Sequence, residues 1–169
     1  LLFVVVSMLF LIPATLYAAT YTVTNNNDSG SGSLRWAITQ ANQNPGHDII
    51  QFTITSSPNS VVTIQPLSAL PALTDTAGVT IDGLTQTGAT DGNNPPFTAN
   101  LLIELNGAKA GNVHGIHITS SNNNIKGLVV DSFAQDGIRI EGTTSPGTSD
   151  NLVYCCFLGT DPTGLIDQG

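Results

Sequence analysis

Alternation of apolar and polar positions, rather than helical periodicity, dominates this chain. Tyr21-Thr-Val-Thr24 alternates β-forming residues, and a turn cluster of Asn, Asp, Ser and Gly follows over residues 25–32. Residues 48–55 and 61–65 read as strands, Pro66 and Pro71 mark a loop, and residues 78–82 begin another strand. One segment has helical spacing. Leu34, Ala37, Ile38 and Ala41 fall at i, i+3, i+4 and i+7, with Ser33 placed as N-cap and residues 42–46 as the stop.

The second half of the chain repeats itself. Gly115-Ile-His-Ile118 recurs 22 residues later as Gly137-Ile-Arg-Ile140. Asn124-Ile-Lys-Gly-Leu-Val-Val130 lies between the copies, and Asn151-Leu-Val-Tyr-Cys-Cys-Phe-Leu158 follows the second. Short strands divided by Gly and Asn at such a period suggest the coils of a solenoid. The expectation is therefore an all-β chain, a right-handed parallel β-helix with a short N-terminal amphipathic α-helix covering one end. Alternation then sends Ile116, Ile118, Ile138 and Ile140 inward as an apolar ladder and His117 and Arg139 outward from one sheet. Gly115 and Gly137 stand at bends that reject a Cβ. Residues 143–149 read as a loop insertion. A β-sandwich, the competing architecture, calls for hairpins rather than a 22-residue self-match.

The first twelve residues are almost continuously apolar, then come Pro13 and the small-residue stretch 14–19. Twelve residues fall short of the about 20 needed to span a bilayer, and they fit the core of a secretory signal peptide. The expected organisation is a signal peptide over 1–19 lacking its basic n-region, a strand and capping helix over 20–55, and the first coils of the helix over 56–169, with further modules downstream. The mature chain is expected to carry no membrane span and to be secreted or held at the cell surface.

Composition narrows the partners. Only 9% of residues are charged against about 25% in ordinary domains, while 40% are apolar, so solubility rests on Asn, Thr, Ser and Gly. Twelve acids against four bases (Arg35, Lys109, Lys126, Arg139) give a net charge of −8, which argues against nucleic acid.

Outward chemistry is sparse. His117, Arg139 and Glu141 are the candidates for carbohydrate contact, because the 22-residue offset makes His117 and Arg139 neighbours beside an acid. His114 and His117 lack a third His or Cys nearby, so no metal site is expected. Of the carboxylates Asp131, Asp136, Glu141, Asp150 and Asp161, none is placed by the sequence in a facing acid–base pair. Asp161-Pro-Thr-Gly164 reads as an Asx-type turn before it reads as a calcium loop, so no cofactor is expected, calcium being the one ion those turns suit. Leu34, Arg35, Ala37 and Ile38 are read as structural, with Arg35 reaching backbone carbonyls or an acid such as Asp48. The amides of Asn122, Asn123 and Asn124 are expected to bond stacked turns to one another. Adjacent Cys155 and Cys156 in a strand face opposite ways, which disfavours a bond between them.

Three segments carry a resemblance. They are Asn27-Asp-Ser-Gly-Ser-Gly-Ser-Leu-Arg-Trp-Ala-Ile-Thr-Gln-Ala-Asn42 with Asp48-Ile-Ile-Gln-Phe52, Ile64-Gln-Pro-Leu-Ser-Ala-Leu-Pro-Ala-Leu-Thr-Asp75 leading to Val79-Thr-Ile-Asp-Gly83, and the turn Gly159-Thr-Asp-Pro-Thr-Gly164. The first resembles the "SLR-x-AI-x-x-AN" opening of bacterial exported, pectin-lyase-like parallel β-helix surface proteins. Cys155-Cys156 departs from that pattern, where Gly-Asn is usual. The resemblance implies surface architecture without assigned chemistry, and the catalytic sets of polygalacturonase-like relatives do not occur. The expected function is a non-catalytic secreted or cell-surface scaffold, adhesive or in contact with a polysaccharide or host-surface ligand. The alternative is the N-terminal part of a polysaccharide lyase or glycoside hydrolase whose site lies on later coils.

Overall fold

Turn residues cut the chain into short strands that pair with segments far away in sequence. The computed structural model describes residues 17–92, 98–142 and 147–169. Most of the expected signal peptide, and residues 143–146 of the expected loop insertion, lie outside the described residues. The elements are β1 (Thr20–Val23), α1 (Leu34–Ala41), β2 (Asp48–Phe52), β3 (Val62–Ile64), β4 (Val79–Asp82), β5 (Ile103–Asn106), β6 (Ile116–Ile118), β7 (Asn124–Lys126), β8 (Leu128–Asp131), β9 (Ile138–Ile140), β10 (Leu152–Tyr154) and β11 (Phe157–Leu158). A single 3-10 turn, Gly83–Thr85, follows β4.

Among the described residues all the strand pairs are parallel, and they fall into three sheets. The first has the order β1-β2-β4-β7-β10, the second β11-β8-β5-β3, and the third holds only β6 and β9. This corrects the expected all-β, right-handed parallel β-helix. The strands form separate sheets of five, four and two strands beside one helix, with no single repeating coil. The offset between paired residues runs from 22 for His117↔Arg139 to 44 for Thr80↔Asn124. The 22-residue match thus describes one strand pair, and loops of unequal length set the other spacings.

Alternation supplies the core. Ile50, Ile81 and Ile125 follow one another across the first sheet, and Ile64, Leu105 and Val130 across the second. These side chains share one buried cluster with Ile116 and Ile118 of the third sheet. Leu34, Ala37, Ile38 and Ala41, the stripe of α1, are buried in that same cluster, where α1 packs on β1 and β2. Each such aliphatic side chain contributes about 1.5–3 kcal/mol of burial. The Ser33 hydroxyl accepts from the Trp36 amide and so caps the helix. Val129 and Phe157 instead join Leu101 in a smaller cluster.

The apolar ladder does not extend as expected. Ile138 is only half-buried and Ile140 is 43% exposed, because β6 is flanked on its other side by the Leu73 segment, while no described strand lies beyond β9.

A column of side chains ties the strand starts of the first sheet together. The Ala19 amide donates to Asp48 Oδ1 at 2.7 Å, the Val79 amide to Asn123 Oδ1 at 2.9 Å, and the Asn123 amide to Asn151 Oδ1 at 2.9 Å. Each side chain thus satisfies a backbone donor on the neighbouring level. The chain passes so close here that a Cβ on Gly78 (φ +87) would sit 2.2 Å from the Asn122 carbonyl oxygen.

Candidate functional site

The pairing of β6 with β9 builds the site. Ile116 pairs with Ile138, His117 with Arg139 and Ile118 with Ile140, the register that the 22-residue offset requires. Close stacking explains Gly115, where a Cβ would lie 2.3 Å from the Gly137 carbonyl oxygen. With the isoleucines turned one way, His117 and Arg139 emerge on the other face.

Glu141, just past β9, is fixed by its own amide, which donates to the Ile118 carbonyl at 3.0 Å. Its carboxylate then meets two partners. His117 Nε2 lies 2.8 Å from Oε1, while Arg139 donates to Oε2 from Nη2 at 3.0 Å and Nε at 3.1 Å. Arg139 Nη1 reaches Asp136 Oδ2 at 3.2 Å. Hydrogen bonds from Arg139, and then from His117, hold the Glu141 carboxyl below its usual range, while Glu141 and Asp136 push the Arg139 guanidinium up.

His114 completes the array. Its Nδ1 lies 3.2 Å from both the Asp136 amide and Asp136 Oδ2. A neutral ring accepts from the amide there, and a protonated one donates to the carboxylate. The His114 and His117 rings stand 5.8 Å apart at a tilt of 50°.

The three candidates His117, Arg139 and Glu141 therefore meet, joined by Asp136 and His114. Sequence reasoning did not give Asp136 its role as a second partner of Arg139. The sign was present in the spacing, because Asp136 precedes Gly137 as His114 precedes Gly115, so the 22-residue offset sets Asp136 beside His114.

The other acids lie elsewhere. Asp131 is buried at the end of β8, and Asp150 lies exposed before β10 with Ser149 Oγ on its carboxylate. Asp161 closes its own turn, accepting from Thr163 Oγ1 and from the Leu165 and Ile166 amides. The Thr163 hydroxyl foremost holds its carboxyl down. Among the described residues, no group of three or more His, Cys, Asp or Glu is placed to hold a metal ion.

Arg35 is a clasp. It donates to the Asp28, Ser68 and Ala69 carbonyls and to the Asp28 carboxylate at 2.8 Å, so its acid is Asp28 rather than Asp48. Trp36 meets Tyr21 edge to face at 6.0 Å. Cys155 and Cys156 are free, Cys156 against the main core and Cys155 (φ +51) beside the smaller cluster, and burial pushes both thiols up. Lys126 finds Asp82 on the adjacent strand at 2.8 Å, which raises the ammonium's value.

No family model matches the chain, and no curated protein matches it.

Proposed function

We propose that the chain is a non-catalytic scaffold, exported to the outside of the cell, whose β6–β9 face contacts neutral carbohydrate. The observation that carries this reading is the mutual pairing of the charged groups in the array. Arg139 is held by Glu141 and Asp136, and both acids are in turn committed to Arg139 and a histidine. No full positive charge is left over to select an acidic sugar. What remains is a dense, half-exposed set of hydrogen-bonding groups suited to hydroxyls. Carboxylates already tied to a guanidinium are poorly placed for general acid–base work, which needs a proton free to move. The apolar leader and the shortage of Lys and Glu support export.

The test is binding of the purified protein to an array of neutral and acidic glycans. Neutral glycans are expected to bind, with affinity falling about tenfold in Arg139→Ala, which unties both acids, at unchanged circular dichroism. Preference for acidic glycans, indifference to Arg139→Ala, or release of reducing ends from any polysaccharide would refute the reading.

A further inference from the structure

Asp131 is only 2% exposed, and its two oxygens are unequally served. Oδ1 accepts from Asn106 Nδ2 at 2.8 Å, while Oδ2 is out of solvent with no geometric hydrogen-bond donor among the described residues. A lone carboxylate oxygen in that position is unfavourable unless something supplies a proton.

The register shows what lies beside it. Glu104 pairs with Val129 and Asn106 with Asp131, so Glu104 and Asp131 are diagonal neighbours on one face of the second sheet. Glu104 Oε2 accepts from Thr63 Oγ1, which holds that carboxyl on the same face of the sheet as Asp131. The groups facing Asp131 are accounted for element by element. Thr63 and Gln65, on and just after β3, are neutral, and Gln65 Nε2 orients Asn106 at 3.4 Å. From β5 come Glu104 and Asn106, and after β8 comes Ser132. Among the described residues no cation acts on Asp131, and burial foremost, with Glu104, pushes its carboxyl up to about 6 against the lowering by hydrogen bonds from Ser132 and Asn106.

Asp131 also begins the path to the surface array. Ser132 follows in the left-handed region at φ +57, and Ser132, Phe133, Gln135, Asp136 and Gly137 line a cavity of about 360 Å³ with Asp131. That loop carries Asp136, the partner of Arg139 and His114.

We infer that Asp131 keeps a proton which it donates to Glu104, and that this proton is a latch between β5 and β8 whose loss loosens the 132–137 loop. Ionisation places a buried negative carboxylate diagonal to the half-buried Glu104, with no cation among the described residues to relieve it. The native state holds this proton more tightly than the unfolded chain, whose carboxyl has the ordinary value of 3.8. Stability and loop order therefore fall as pH rises from 3.8 through about 6.

Hydrogen exchange of residues 132–137, corrected for the intrinsic pH dependence of exchange, tests the latch. Protection in the native protein is expected to fall about tenfold between about pH 5 and about pH 7.5. In Asp131→Asn the amide donates permanently to Glu104, so protection stays high at both values. A native loop equally protected throughout, or an Asp131→Asn loop that keeps the pH dependence, overturns the inference. Should that variant fail to fold, carbon NMR titration of the native Asp131 carboxyl decides: a midpoint near about 6 supports the latch and one near about 4 overturns it. A midpoint displaced by added calcium also overturns it, since the pair would then hold a cation.

Discussion

Replacing Asn123 by alanine tests the side-chain column that joins the strand starts. The residue is fully buried, and each of its polar atoms is in use. Oδ1 accepts from the Val79 amide at 2.9 Å, and Nδ2 faces the Ser120 and Ser121 carbonyls, Ser120 Oγ and Asn151 Oδ1 at 2.9–3.2 Å. Truncation strands the Val79 N–H in the interior at about 1–3 kcal/mol and removes donors worth about 1 kcal/mol net in all, for an expected loss of about 3 kcal/mol. Asn124→Ala is the control. Its Nδ2 makes one long contact, 3.4 Å to Thr80 Oγ1 at a half-buried position, so the loss should stay below about 0.5 kcal/mol. Urea unfolding followed by circular dichroism measures both, with the slope unchanged if only stability is altered. Asn123→Asp sharpens the test: it keeps the acceptor for Val79 but loses the donors and buries a charge, so it should be weaker than Asn123→Ala at neutral pH and recover in acid. Equal, small losses for Asn123→Ala and Asn124→Ala would refute the claim that the column holds the levels together.

Three further outcomes rest on the same kind of contact. Arg35→Ala should cost about 2 kcal/mol in urea unfolding, with Arg35→Lys restoring less than half, because the planar fork serves Asp28 and three carbonyls together. Asp28 is held below its ordinary 3.8 by the Arg35 hydrogen bond, so its contribution is full above 3.8 and lost as pH falls through the native value; Asp28→Asn should flatten that acid limb of the melting curve. Ile118→Ala should cost about 3 kcal/mol, and Ile140→Ala less than about 1 kcal/mol, since only Ile118 is fully buried.

Local patterns were legible in the sequence where a side chain's neighbours are fixed by alternation or helical spacing. The α1 stripe, the Ser33 cap and the His117–Arg139 register are of this kind, each set by residues a few positions apart or by one self-match. Global arrangement was not legible. Strand partners are chosen by loops of unequal length, and nothing in the alternation of Val79-Thr-Ile-Asp82 says that Asn124 rather than Ile116 comes next beside it. The exposure of Ile140 was hidden for the same reason, because an edge strand and a central strand share one period-two pattern. Glu104 escaped notice because its importance comes from standing diagonal to Asp131, a relation created by the β5–β8 register alone.

The β6–β9 face differs from the other polar clusters of the fold in its exposure. Asp82 with Lys126 and Gln65 with Asn106 and Asp131 lie across neighbouring strands, but their contacts are at least part-buried and spent on one another. The Asp48, Asn123 and Asn151 column is spent on backbone amides. In the β6–β9 array, side-chain exposure of 45% for Arg139, 51% for Asp136 and 39% for Glu141 coincides with a geometry held rigid from both strands. A preorganised polar surface loses little side-chain freedom when a ligand arrives, whereas the buried clusters would have to give up bonds that hold the sheets. A carbohydrate that displaced only surface water could therefore bind at the array without disturbing the fold, and for the same reason substitutions there should change binding and leave the melting temperature in place.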